Sequence, residues 1–319
     1  MARYVGQRVA FALVTIFVAI TFNFILFRVL PGDAVHSLAR VPNASPELIA
    51  VLTRDFGLDK SLWEQYVAYL RELLQGNLGV SFVNRQPVTE NLVRLMGNTL
   101  ILVLPGTVFA IIIGVLTGIA AAWWRGTAKG SATTATAIFF YSVPAQWLAL
   151  MLLLWFSGTL PTHGMADPYL FDDSLWARVM DVGRHMILPT VTMTLILYGE
   201  YTLIVRSAML ESLGEDYVLT ARAKGLRPAH ILRAYAFRNA LLPTVTLVGL
   251  TLGFLVGGAI LLETVFSWPG IGLATYQAVI QRDYPMLQGA FLVLTVSVVL
   301  FNLLTDLVYF RLDPRIRAS

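Results

Sequence analysis

Six stretches of the chain are apolar almost without interruption: 9–30, 98–124, 133–157, 187–208, 241–262 and 286–310. Each is rich in Leu, Ile, Val, Phe and Ala, and a helix of about 20 such residues crosses a bilayer. Lipid cannot hydrogen-bond a free backbone amide, so helices are the expected form and the fold class is all-α. The first stretch, Val9–Phe27, is longer than the ~7–15 residue apolar region of a cleaved leader, and no A-x-A-like site follows it, so it reads as a retained span. Pro189 in ILPTV and Pro243 in LLPTV are placed in first helical turns, where a missing N–H is harmless. Pro105 and Pro144 lie deeper and are expected to kink the second and third spans.

The polar segments between the spans set the orientation. With the N-terminus inside, the inner segments hold Arg3, Arg8, Arg125, Lys129, Arg206, Arg222, Lys224, Arg227, Arg233, Arg238, Arg311, Arg315 and Arg317. The two shorter outer loops hold only Arg178, Arg184 and Arg282, and this bias places both termini in the cytoplasm. Trp123, Trp124 and Trp155 fall near span ends, as interfacial aromatics do. The long outer segment 31–97 contains SLWEQYVAYLRELLQG, with Leu62, Tyr66, Tyr69, Leu70 and Leu73 at helical spacing and Gly76 as a stop. Amphipathic helices lying on the outer membrane face are expected there. The chain thus divides into 1–97, a first span with an outer segment, and 98–319, a five-helix core.

Composition agrees. The 319 residues are 57% hydrophobic and only 13% charged, against about 25% charged in soluble domains. The mean hydropathy is +0.69. The net charge of +4 is gathered between apolar runs, which points to membrane topology rather than nucleic acid. The absence of cysteine removes disulfides, thiol catalysis and Cys-based metal sites. Catalytic constellations are missing as well. GTAKGS at 126–131 lacks the Walker A pattern, so this chain does not hydrolyse ATP by that route. No G-x-S-x-G elbow occurs. His36, His163, His185 and His230 lack metal spacing and read as ordinary loop residues. Two acids do fall within spans, Glu200 and Asp306, and such charges are functional candidates because they are costly. The plainer reading has Glu200 facing a wet interior and Asp306 near the inner interface, paired with Arg311 or a neighbour. As proton relays they would instead define a proton-coupled secondary transporter.

The inner segment 209–240, MLESLGEDYVLTARAKGLRPAHILRAYAFRNA, exceeds the ~2–8 residues usual between bundle helices. Residues 211–224 read as one helix with Leu213, Tyr217 and Ala221 on one side. Gly225 is placed to stop it in the left-handed conformation, and Pro228 to open a second helix with Ile231, Leu232 and Tyr235 on one face. Two short helices with a sharp corner are expected. Ala221 and Ala223 beside Gly225 give a slim profile suited to a groove, with Arg222 and Lys224 at its rim. Farther on, Trp268-Pro269-Gly270 makes a turn, and Leu273, Tyr276, Val279 and Ile280 form an amphipathic stripe on a short outer helix.

These segments resemble a known family. DYVLTARAKGL at 216–226 followed by RNALLP at 238–243 is similar to the cytoplasmic signature of permeases in ATP-binding-cassette importers of the dipeptide/oligopeptide/nickel branch. FGLDKSLWEQYVAYL, GNLGVSF, RSAMLE, ETVFSWPGIG and RDYPMLQG resemble other parts of that branch, so the likeness runs from the first span to the last. Leu219 departs from the broader signature, which has an acidic residue six before the glycine; Glu215 and Asp216 lie nearby.

The resemblance implies a type I importer permease in a prokaryotic inner membrane. It implies alternating access for di- or oligopeptides, with nickel complexes and oligosaccharides open. It implies that Glu215, Asp216, Tyr217, Ala221, Arg222, Ala223, Lys224 and Gly225 couple to a separate ATPase subunit that binds ATP and Mg. A second permease subunit and an extracytoplasmic binding protein are further implied partners. Trp268, Pro269, Gly270 and Asp283 are candidates for the outer gate or the binding-protein contact. No catalytic residue, metal or cofactor is expected in this chain.

Overall fold

The computed structural model describes residues 2–29, 59–169, 174–238 and 259–312, with scattered positions between 240 and 251. The helices are α1 Ala2–Val29, α2 Leu62–Leu74, α3 Val88–Trp123, α4 Ala128–Ser142, α5 Ala145–Phe156, α6 Leu175–Gly214, α7 Asp216–Ala223, α8 Pro228–Ile231, α9 Ile260–Val265, α10 Ile271–Gln281 and α11 Tyr284–Leu312. Among the described residues there is no strand, only an isolated bridge between Val80 and Pro87. α1, α3, α6 and α11 are each long and apolar enough to cross a membrane, and the bent pair α4–α5 makes a fifth crossing if it is one span. The expected span 241–262 includes 252–258, which lie outside the described residues; each described position from 240 to 251 is helical.

α3 and α6 run parallel and form the centre. They meet through small residues, as close helix packing in lipid requires, because burying apolar surface away from lipid gains little. A Cβ on Gly106 would stand 3.0 Å from Met193, one on Gly118 2.7 Å from Val205, and one on Gly114 would collide with Tyr201. Gly199 gives α4 a similar seat on α6, against Ala137 and Tyr141. α5 and α9 close one side with a cluster that includes Leu148, Leu152, Leu262 and Phe266.

α1 lies against α11. Arg8 pairs with Asp306 at 3.0 Å near one end, and the Asn23 amide donates to the Gln288 carbonyl at 2.9 Å toward the other. The start of α1 and the end of α11 therefore share one end of the bundle. α2 rests on α1, with the Tyr66 hydroxyl 2.7 Å from Thr21 Oγ1 and the Phe24 ring beside Tyr66 and Tyr69. Its first turn is closed by a reciprocal cap: the Ser61 hydroxyl accepts from the Glu64 amide, and Glu64 accepts from the Ser61 amide. The Ser61 hydroxyl and amide hold the exposed Glu64 carboxyl below its ordinary value. α2 buries no residue fully, as expected of a helix lying on a surface.

Several expectations from the sequence need correction. Pro189 is not in a first turn but deep inside α6, and Pro243 follows the helical residues Ala240 and Leu241. α3 continues through Pro105, while Pro144 does more than kink its span: α4 and α5 are separated by a 98° bend. A residue before proline is driven out of the α region, and Val143 is extended at φ −73°, ψ 129°. His185 is no loop residue; it is buried in α6, 3.3 Å from Asp181. The division between 97 and 98 falls inside α3.

Candidate functional site

At one end of the bundle a compact knob follows α6. The helix expected over 211–224 is broken. α6 stops at Gly214, Glu215 is extended at ψ 151°, and α7 starts afresh at Asp216. Gly214, with its poor helix propensity, was the signal for this break. α7 ends in a Schellman motif: the Leu226 amide donates to the Ala221 carbonyl at 3.2 Å and the Gly225 amide to the Arg222 carbonyl at 2.9 Å. Gly225 takes φ +73°, which costs an L-residue about 1–2 kcal/mol. Pro228 occupies the first turn of α8, as expected. The second helix is not short, however. It passes through a π-helical stretch, Leu232–Phe237, into the helical residues beyond.

The corner is held by its own core. Val218, Ala221 and Ile231 are buried together, with Leu213, Leu226 and Tyr235 packed around them. The Tyr217 ring stacks on Tyr235 at 6.5 Å, and its hydroxyl lies 2.6 Å from Ser212 Oγ. Ala221 therefore faces inward and does not contribute to a slim outer profile, which corrects the sequence reading. The exposed surface carries Glu215, Asp216, Leu219, Arg222, Ala223, Lys224 and Gly225. Asp216 at the start of α7 and Arg222 at its end both complement the helix dipole. Leu219, where the acidic signature residue was absent, is 67% exposed and gives this face an apolar centre.

The opposite end is capped by a buried polar network. Glu263 is fully buried; it accepts from Thr99 Oγ1 at 2.7 Å and from the Leu273 amide at 2.8 Å. Thr99 in turn accepts from the Ile271 amide at 2.9 Å. Gly270 lies so close to the Glu263 carboxylate that a Cβ there would collide with it. Trp268 is fully buried and donates its indole N–H to the Asn98 carbonyl at 2.9 Å, and the Asn98 amide returns a bond to the Pro269 carbonyl at 2.8 Å. Asp283 is also buried. It accepts from the Ser81 hydroxyl and from the amides of Phe82, Val83 and Met286, joining the turn before α3 to the start of α11.

Of the four outer candidates, then, Trp268, Gly270 and Asp283 are buried in the chain and Pro269 is half-buried. Glu263 and Thr99 were not singled out from the sequence; a lone acid closing the 241–262 apolar run was the available signal. Of the stripe expected on α10, Tyr276, Val279 and Ile280 are exposed and Leu273 is half-buried. Ile271, Gly272, Thr275 and Ala278 are buried. The helix is seated by its small residues, and its larger apolar ones meet the surroundings.

Within the spans, Asp306 pairs with Arg8 at 3.0 Å. Glu200 is half-buried on α6. Among the described residues no group of His, Asp and Glu is arranged to hold a metal.

A helical bundle with four spans among the described residues, or five if α4–α5 is one, with a knob at one end and a locked cap at the other, defines a multi-pass membrane protein. The chain belongs to the family described as binding-protein-dependent transport system inner membrane component, whose model matches residues 110–318, and a companion N-terminal model matches 1–103. It is 38% identical to the dipeptide transport system permease protein of Escherichia coli, with 99% of each chain covered. It is 37% identical to the di/tripeptide transport system permease protein of Pseudomonas aeruginosa, and 34% to the glutathione transport system permease protein of Escherichia coli, each with 99% of both chains covered. The fold matches a chain of the inward-facing MetNI methionine ABC transporter with TM-score 0.55 and 22% identity, over 70% of this chain and 96% of that one. The chain is thus a permease subunit of the inner membrane and not an enzyme.

Proposed function

We propose that this chain forms half of the translocation pathway of an ATP-driven peptide importer, and that the knob 215–225 is the element through which a separate ATPase subunit drives it. The observation that carries the reading is the knob. Its Schellman corner and private core make it rigid, while its charged and apolar outer face is exposed and carries no ion pair among the described residues. Coupling between two sites needs an element with discrete positions that both sites bias, and a rigid knob docked in a cleft is such an element. The ATPase subunits bind ATP and Mg. Closure of their dimer moves the knob, and the pathway changes from outward to inward access.

The knob end is then cytoplasmic, and both termini with it, since the Arg8–Asp306 pair places the start of α1 and the end of α11 together. A second permease completes the pathway, and a binding protein delivers substrate at the capped end. The relatives' names support di- or oligopeptides as that substrate.

Reconstitution tests this. Dipeptide uptake into proteoliposomes is expected only with ATP, both permeases, the ATPase and the binding protein present. Uptake by this chain alone, lost on replacing Glu200 or Asp306, would establish a proton-coupled carrier instead.

A further inference from the structure

Glu200 has no role in the knob or the cap, yet it occupies an expensive position. α3 and α6 run parallel, and Gly114 of α3 lies level with Tyr201 of α6. Trp123, 46% exposed, marks the interface at the end of α3, nine residues beyond Gly114. At 1.5 Å per residue that is about 13 Å. Half of a ~30 Å hydrocarbon core is about 15 Å. The Glu200 carboxyl therefore sits near the bilayer midplane.

Its direction follows from its neighbours. Gly199 abuts α4, while Tyr201, Thr202 and Val205 abut α3. Successive helical residues turn by about 100°, so Glu200 points into the sector that neither α4 nor α3 fills. Ser207 and Glu211 stand seven and eleven positions on, in that same sector, and both are exposed. The three make a polar lane from the midplane toward the knob end. A lane of this kind does not belong against lipid, where a carboxylate costs several kcal/mol. Among the described residues no cation pairs with Glu200.

We propose that Glu200 faces the translocation pathway and receives the α-ammonium group of the peptide in transit. The inference rests on the peptide-import reading above. An ammonium is the one cationic group that every unmodified peptide carries whatever its side chains, so a single carboxylate serves a broad range of substrates. One contact from a half-buried group also leaves binding weak enough for release, as a conduction path requires.

The test uses the assembled transporter in proteoliposomes, with radiolabelled dialanine as the probe. Glu200→Gln, which keeps shape and loses charge, is expected to lower the maximal uptake rate about tenfold at equal recovery of complex. A tenfold change is about 1.4 kcal/mol, near the lower end for a hydrogen bond to a charged group. Glu200→Asp, which keeps the charge, is expected to restore most of the rate. Uptake by Glu200→Gln within twofold of wild type overturns the proposal. So does an equal loss in both variants, which marks a packing role. Failure of the wild-type assembly to carry dialanine, while it carries another ligand of its binding protein, overturns the substrate reading instead.

Discussion

At the capped end, Glu263, Trp268 and Asp283 are buried and hydrogen-bonded to other parts of the chain. At the knob end, Glu215, Asp216, Arg222 and Lys224 stand in the open. Both ends carry segments that resemble the same family of permeases, yet the residues are used in opposite ways. The cap consumes its polar groups internally: α3, α9, α10 and α11 are tied together by bonds that need no second protein. The knob buries Val218, Ala221 and Ile231 in its own core and leaves its charged side chains exposed. A segment that resembles a family motif is thus no guide to whether its side chains face a partner; burial decides. Substitutions at the cap should register first in stability, and substitutions on the knob first in transport.

The largest effect is expected at Gly225. Among the described residues nothing beyond its chain neighbours stands within 4 Å of a Cβ built there, so the obstacle is the left-handed backbone. Valine tolerates that conformation worst. Gly225→Val should open the corner and abolish ATP-dependent uptake while the protein still reaches the membrane. Immunoblotting of membranes beside an uptake assay checks both halves, and uptake near wild type would remove the knob from the mechanism.

Next comes the cap. Glu263→Ala strands the Thr99 hydroxyl and the Leu273 amide in a buried site, and charge-assisted bonds of this kind are worth about 1.5–3 kcal/mol each. A loss of about 3 kcal/mol is expected, read as a clear fall in the thermal midpoint of the purified protein in detergent. Arg222→Ala on the exposed knob should stay within about 0.5 kcal/mol in the same assay, while weakening capture of the ATPase subunit. If the two variants melt alike, the contrast between the ends fails.

Gly270 sharpens the same point. Its φ of −108° suits any residue, so only the closeness of Glu263 requires glycine. Gly270→Ala should cost about 1–3 kcal/mol by overpacking in the wild-type background. It should cost distinctly less when Glu263 is already alanine, because the colliding carboxylate is gone. Thermal midpoints of the four proteins in this cycle measure the coupling, and simple additivity would show that Gly270 serves something else.

Much of this was legible in the sequence, for identifiable reasons. The apolar runs located the spans because lipid leaves only helices as an option, and Gly225 and Pro228 marked a corner because few other residues suit those backbone positions. The prolines misled because first-turn placement was judged from local spacing. α6 is 40 residues long and passes through Pro189, which a membrane helix accommodates inside a bundle. Ala221 misled because periodicity finds a face without saying which way it points. In lipid, large apolar side chains face outward as readily as inward, and on α10 the small residues Gly272, Thr275 and Ala278 mark the packed side instead. The Glu263 network joins residues more than 160 positions apart, a separation that no local pattern records.

The smallest effect separates the knob's two kinds of internal support. Tyr217 both stacks on Tyr235 and bonds Ser212, which sits in the last turn of α6. Tyr217→Phe keeps the ring and removes only the hydroxyl, a net loss of about 0.5–1.5 kcal/mol. Since the buried trio and the Schellman corner remain, the knob should keep its shape and be tied less firmly to α6. Uptake is expected to fall by no more than about threefold, with ATPase capture unchanged. Tyr217→Ala should fall further by losing the stack. If the phenylalanine variant instead stops transport as Gly225→Val does, the path of force runs through that hydroxyl into α6. The rigid corner would then be only its outer housing.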